Sequence, residues 1–271
     1  MDKIDRLGWA EGITFVSYGV PVGVRVNREG MLEQFAERFP PGWKPSRARA
    51  VERLYSLIIG GVGARPGLRR FNILYGNTQK LLRTLDMDEF LTVFESDVKL
   101  HVAAGARRRI FIHAGVVGWS GQAILMPGRS FSGKTTLVAE LIRAGATYYS
   151  DEYAVLDREG LVHPYPRPLS VRENGRHTKH APEMFGGKAG KTPLRVGLVI
   201  ASSYKPGARW RPQPLSPAEG ALALIENAVS IQRQPETVIE VLRRALPGAT
   251  ILKGTRGEAT EVVDYVRRKL A

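Results

Sequence analysis

The sequence contains no cysteine. That excludes disulfides, thiolate metal sites and cysteine nucleophiles. No apolar stretch approaches the length needed to span a bilayer. The opening residues Met1-Asp2-Lys3-Ile4-Asp5-Arg6 are charged and lack the apolar core of a signal peptide, so a cytoplasmic location with no membrane partner is expected. Acidic residues are in short supply, 26 against 40 Lys and Arg, which leaves a net charge of +14. A charge of that size suggests nucleic acid or an acidic partner. The basic residues, however, come as short groups: Arg65/Arg69/Arg70, Arg107/Arg108/Arg109, Arg243/Arg244 and Arg267/Arg268/Lys269. There is no long basic run and no helix-turn-helix, zinc-finger or RNP-type signature. Most of the charge therefore reads as solvated surface, and nucleic acid is not expected as a partner. No internal repeat is evident.

The 271 residues are 43% hydrophobic, enough for one large domain or two small ones with full cores. Their organising stretch is Leu125 to Thr136. It contains Gly128-x-x-x-x-Gly133-Lys134-Thr135, a phosphate-binding loop motif. Ala123-Ile124-Leu125-Met126 before it suits a buried strand. Thr136 to Ala144 after it has helical spacing, and Gly145 can end the helix. The two glycines let backbone approach a ligand closely. Successive N–H groups and the positive end of the following helix then face a polyphosphate. Lys134 supplies a point charge for the β- and γ-phosphates, and Thr135 a hydroxyl for Mg²⁺. The motif predicts that Gly128, Arg129, Ser130, Phe131, Ser132, Gly133, Lys134, Thr135 and Thr136 bind a nucleoside triphosphate.

Along the chain, Ile13–Tyr18 and Val22–Val26 read as paired strands, and Glu29–Phe39 as a helix stopped by Pro40-Pro41. Gly42–Ser46 reads as a loop. Arg53–Ile59 and Arg70–Tyr75 read as strands around a Gly/Pro-rich connection, Gly60–Gly67. Asp86–Ala106 has the pattern of a long amphipathic helix. These elements predict a small α+β domain over 1–95, followed by the loop-bearing domain over 96–271. In that second part Ile110–Val117 is a strong buried strand, turning at Trp119–Gln122 into the strand before the loop. Thr147–Ser150 is β-prone and ends in Asp151-Glu152. Tyr153–Leu156 and Leu161–His163 bracket a hairpin turn. Glu173–Lys191 reads either as a loop over a site or as an unstructured connection. Leu194–Ala201 is a core strand. Ser216-Pro217-Ala218-Glu219 is a capping box opening a helix to about Ser230. Glu236–Ala245, Thr250–Lys253 and Glu258–Leu270 read as helix, strand and helix.

Several residues could serve phosphoryl transfer. Asp151 and Glu152, at a strand end beyond the loop helix, can divide the labour between a Mg²⁺ ligand and a base toward a hydroxyl. His113 sits in an apolar strand, where a histidine is usually a core residue; the short turn to the loop strand favours a role at the site. Arg167 and Arg172 could neutralise charge on a transferring group. His177 and His180 have the spacing of metal ligands, but no third ligand suggests itself.

Phe111 to Val117, Gly128 to Thr136, Arg143-Ala144-Gly145-Ala146 and Ser150-Asp151-Glu152 together resemble the catalytic domain of bacterial HPr kinase/phosphorylase. The resemblance covers about residues 105 to 200, with weaker support to the C-terminus. It implies an α/β P-loop kinase domain related to phosphoenolpyruvate carboxykinase. By that resemblance His113 would be the catalytic histidine and Asp151 the base on the acceptor hydroxyl. Lys134 would hold the phosphates, and Thr135 and Glu152 would serve Mg²⁺. The expected function is an ATP- and Mg²⁺-dependent kinase acting on a hydroxyl, serine foremost, of a protein, peptide or small molecule. A nucleotide-binding regulator without transfer activity and a carboxykinase-like or hydrolytic enzyme are the alternatives. The acceptor and the oligomeric state, a homo-oligomer included, stay open.

Overall fold

Two-residue turns and alternating apolar residues build the first part of the chain. In a computed structural model, which describes residues 5, 8–61, 71–128, 132–173 and 176–270 (backbone alone at 172, 173, 176 and 177), β1 (Glu11–Ser17) and β2 (Val20–Val26) pair antiparallel. Tyr18 and Gly19 turn between them at φ +49° and +83°. With β3 (Lys44–Pro45), β4 (Arg53–Ile58), β5 (Asn72–Gly76) and β6 (Gln79–Thr84) they form one sheet in the order β3-β1-β2-β4-β5-β6. Two helices, α1 (Leu32–Ala36) and α2 (Met87–Gly105), pack on it around Phe15, Phe35, Phe39, Tyr55, Phe90 and Phe94. Asp86 caps α2 by accepting from the N–H groups of Asp88 and Glu89.

Three expectations change here. The helix expected over 29–39 is only five residues long, because the Glu11 carboxylate takes the N–H groups of Gly30 and Leu32 and holds the preceding turn out of the helix. The loop expected at 42–46 contains β3, whose Lys44 and Pro45 pair with Val16 and Phe15. The strand β6 carries no clear apolar alternation, being half exposed, and was not expected. The connection at 60–67 and the group Arg65/Arg69/Arg70 fall largely outside the described residues.

The chain separates into two compact units, 1–107 and 108–271; residue 95 lies inside α2. The second unit holds β7 (Ile110–Trp119), β8 (Gln122–Pro127), α3 (Lys134–Arg143), β9 (Thr147–Ser150), β10 (Tyr153–Leu156) and β11 (Val162–His163). After these come β12 (Leu169–Glu173), β13 (Arg176–His180), a 3-10 turn at Pro182–Phe185 and β14 (Arg195–Tyr204). The chain finishes with β15 (Gln213–Pro214), α4 (Pro217–Ile225), α5 (Pro235–Ala245), β16 (Thr250–Arg256) and α6 (Ala259–Leu270). The main sheet runs β11-β10-β7-β8-β14-β16-β15, with β9 also paired to β7. Its central strands β8, β14 and β16 are parallel, so their C-terminal ends share one edge of the sheet.

Alternation sorts the sheet's side chains into two cores. Ala123 and Leu125 of β8 join Leu224 of α4 and Val238, Val241 and Leu242 of α5 on one face. Ile124 and Met126 join Leu137, Val138 and Leu141 of α3 and Val262 and Val266 of α6 on the other. The result is a mixed α/β chain with several sheets and with helices on both faces of the largest one.

Within the stretch expected as a loop or unstructured connection, residues 176–180 form a strand and 182–185 a 3-10 turn. Leu169–Glu173 pairs with Arg176–His180, from Leu169↔His180 to Glu173↔Arg176. β12 sets Leu169 and Val171 against the core, but its partner β13 is polar throughout and gives no apolar alternation. The helix expected to reach Ser230 ends at Ile225 because the chain turns back onto β7, Val229 N–H donating to the Phe111 carbonyl at 2.8 Å. No helix among the described residues is long and apolar enough to cross a membrane.

Candidate functional site

The site grows from the β7–β8 hairpin. Ser120 and Gly121, at φ +47° and +78°, make its two-residue turn. The ladder then runs from Trp119↔Gln122 to Ala114↔Pro127. Where it ends, Gly128 N–H donates to the His113 carbonyl at 3.2 Å. This brings His113 to the entrance of the glycine-rich loop. Gly115 contributes from the same strand: a Cβ there would lie 2.6 Å from Val138 of α3 and 3.8 Å from the Lys134 Cβ. The bare backbone lets α3 lie close on β7.

Gly133 is the N-cap of α3, in the left-handed region at φ +78°, and no side chain caps the helix. The first-turn N–H groups at Lys134, Thr135 and Thr136 are therefore left without intrahelical partners. A Cβ on Gly128 would meet Ser132 Oγ at 2.8 Å, so the two ends of the loop touch. Ser132 Oγ is buried and has no hydrogen-bond partner among the described residues. Arg129, Ser130 and Phe131 lie outside the described residues.

The acidic pair interrupts what is otherwise one strand. β9 pairs with β7 up to Val116↔Ser150, and β10 resumes at His113↔Tyr153. Asp151 and Glu152 fill the gap opposite Ala114 and Gly115, and Ala114 N–H donates to the Glu152 carbonyl at 3.2 Å. Asp151 faces the start of α3. Its Oδ2 accepts from Thr135 Oγ1 at 3.4 Å and from Ser170 N–H at 3.1 Å, and its Oδ1 lies 3.2 Å from the Tyr148 hydroxyl. That hydroxyl also donates to the Arg167 carbonyl at 2.6 Å. Burial first, and then the Asp151 charge, push the Tyr148 pKa well up, so the phenol stays neutral and donates.

The electrostatics sort the charged groups into two pairs. Burial lowers the Lys134 pKa, and Asp151 opposes that. Burial also lowers the His113 pKa; Glu152 raises it and Lys134 lowers it further. His113 is thus held toward the neutral imidazole, with its ring 4.8 Å from that of Tyr153.

The structure brings His113, Lys134, Thr135, Asp151 and Glu152 to one end of the sheet, at the C-terminal end of β8. Thr136 is exposed on the first turn of α3. Arg167 is tied to the site through its carbonyl, and its side chain is half-buried. The side chain of Arg172 lies outside the described residues, as does that of His177. His180 has its Nδ1 3.3 Å from Met184 Sδ. No group of three or more potential metal-ligating side chains is found among the described residues.

Three participants escaped the sequence reading. Tyr148 and Ser170 hold Asp151, and Arg256 reaches the loop from β16. Arg256 Nη2 donates to the Gly133 carbonyl at 2.7 Å. A strand was expected at Thr250–Lys253, but nothing in the local pattern ties its extension to a loop 123 residues earlier.

The residues present fit Mg²⁺-nucleotide. An uncapped helix start, a half-buried lysine, a threonine hydroxyl beside a carboxylate and an orphaned serine hydroxyl suit a polyphosphate with its cation. A cavity of about 720 Å³ lies at the opposite end of β7, lined by Trp119, Thr147, Lys188 and Lys191 among others. None of the candidate residues borders it.

No protein-family model matches the chain, and no curated protein matches it. Among solved structures it is similar to the Hpr(Ser) kinase/phosphatase from Coxiella burnetii, at 14% identity over 58% of this chain and 97% of that one, with a TM-score of 0.35. A likeness at that level says nothing of what this chain acts on.

Proposed function

We propose that the chain is an ATP- and Mg²⁺-dependent kinase that transfers the γ-phosphoryl group to a hydroxyl, serine foremost, of a protein, peptide or small molecule. The observation that carries this reading is the uncapped start of α3, Gly133-Lys134-Thr135, set against Asp151 and beside His113. Mg²⁺-ATP, when bound, supplies the phosphoryl group. The first-turn N–H groups and Lys134 hold its charge. Thr135 and a carboxylate of the acidic pair hold the metal ion. A carboxylate of the pair takes the proton that the acceptor hydroxyl gives up. Neutral His113 orients that carboxylate and keeps the neighbouring charge in place.

A second division of the carboxylates' roles has its own support. The sequence reading gives Asp151 to the acceptor and Glu152 to the metal. The contact between Thr135 and Asp151 favours the reverse: Asp151 beside the metal-binding threonine, and Glu152 as the carboxylate that acts on His113.

Calorimetry with Mg²⁺-ATP and phosphate incorporation from labelled ATP test the proposal. Lys134→Ala should abolish transfer and weaken ATP binding by at least about tenfold with the fold intact. An unchanged affinity would remove the loop as the phosphate site. Tight binding without transfer to any serine-bearing protein or peptide tried would favour a regulator. Turnover in water alone would favour a hydrolase.

A further inference from the structure

Arg256 is the largest of the fully buried side chains, 2% exposed. It ends β16 in register with Tyr204, the last residue of β14, so its side chain reaches the loop past the end of the intervening strand. Nη2 donates to the carbonyls of Gly133 at 2.7 Å and Ser132 at 3.4 Å, and Nη1 to that of Gly257 at 3.3 Å. Its Nε has no hydrogen-bond partner, and no carboxylate forms an ion pair with it, among the described residues. The Tyr204 ring lies 5.7 Å from its Cζ, and Glu258 acts on it at longer range.

Two consequences follow from elementary chemistry. In a trans peptide unit the carbonyl and the next N–H point in opposite directions, and this chain has no cis peptide bond among the described residues. Arg256 fixes the Ser132 carbonyl and, together with the Leu137 N–H at 3.2 Å, the Gly133 carbonyl, so the N–H groups of Gly133 and Lys134 point the other way. Gly133 N–H thereby lines up with the first-turn N–H groups of α3. The second consequence concerns charge. A guanidinium is always ionised, and burying one without a counter-charge is costly. Here carbonyl dipoles, the Tyr204 ring and the more distant Glu258 compensate it without a paired carboxylate, and an anion one peptide plane away would add to the balance.

We infer that Arg256 is the positioning residue of the loop: it aims consecutive backbone N–H groups at a polyphosphate, whose charge then faces a buried guanidinium that no carboxylate pairs with among the described residues. This rests on the phosphate-loop reading above. It also explains why Gly133 carries no side chain, since a Cβ there would collide with Arg256 Nη2.

The test uses the full chain and two probes, inorganic pyrophosphate and ATP, each with Mg²⁺, by calorimetry. Arg256→Met should lose at least about tenfold in affinity for both, because both use the backbone cradle. Its melting temperature without ligand should hold or rise, since an apolar side chain replaces a buried charge that has no ion-pair partner among the described residues. Arg256→Lys keeps one donor and should recover part of the affinity; it also keeps the test decisive if Arg256→Met does not fold. The amide resonances of Gly133 and Lys134 should shift in Arg256→Met before any ligand is added. Undiminished affinity in Arg256→Met beside a large loss in Lys134→Ala overturns the role of Arg256 alone. So does a loss of affinity that merely follows a loss of melting temperature in both Arg256 variants. Failure of the parent chain to bind pyrophosphate or ATP at all overturns the loop reading, and the inference with it.

Discussion

His113 and the two carboxylates opposite it make separable predictions at the scale of single residues. Burial lowers the His113 pKa in the fold below its ordinary 6.5, with Glu152 partly offsetting it. The unfolded chain therefore binds the extra proton between 6.5 and the lowered value. The contribution of His113 to stability is complete above about pH 6.5 and is lost as pH falls through its folded value. Thermal melts from pH 8 to pH 5 should show a steeper acid-side decline in the parent than in His113→Gln; parallel curves would contradict a buried neutral imidazole. For the acidic pair the readout is the Mg²⁺ requirement. The carboxylate on the metal, when neutralised as Asp151→Asn or Glu152→Gln, should raise the Mg²⁺ concentration needed for activity. The carboxylate acting as base should lose about 10²- to 10⁴-fold in transfer at saturating Mg²⁺, with ATP affinity held within a few-fold. If both variants transfer like the parent, neither residue is the base.

At the scale of elements, β7 is the part on which the site depends most. One strand carries His113 at the loop entrance, Gly115 under α3, and the edge against which β9 and β10 present the acidic pair. Gly115→Ala would press a methyl group on Val138 and lift the start of α3, at a cost of about 1–3 kcal/mol in stability. A urea titration should show that loss, and nucleotide affinity should fall with it; a variant as stable as the parent would mean that α3 does not depend on this close approach. Much of this element was legible. The apolar run Ile110–Val117, the short turn and the strand before the glycine motif each carry strong local signals, and the Ser216–Glu219 capping box formed as read, Glu219 N–H donating to Ser216 Oγ. The β12–β13 pair was not legible, because β13 is polar throughout and a strand of that kind carries no apolar pattern. The link from Arg256 to Gly133 was not legible either, since no local pattern can show a contact between distant strands.

At the scale of the molecule, the candidate site belongs to one compact unit. His113, Lys134, Thr135, Asp151, Glu152 and Arg256 all fall within 108–271, which has two apolar cores of its own. A chain limited to 108–271 should therefore fold and bind Mg²⁺-ATP within a few-fold of the full chain. Circular dichroism and calorimetry would check this; a folded fragment without nucleotide affinity would show that residues 1–107 contribute to the site. The first unit has an aromatic core of its own.

The bond from Arg256 to the loop also sets an order of events during synthesis. The loop leaves the ribosome early, but the side chain that fixes its carbonyls is made 123 residues later. β16, which carries Arg256, can only add to β14 after both have emerged. A growing chain that has passed the loop, the histidine and the acidic pair still lacks the brace that turns the N–H groups outward. On the proposed reading of the loop, nucleotide capture would be deferred until the sheet is nearly finished. A chain released before residue 256 by an early stop or a nick would carry the whole motif and hold its ligand poorly.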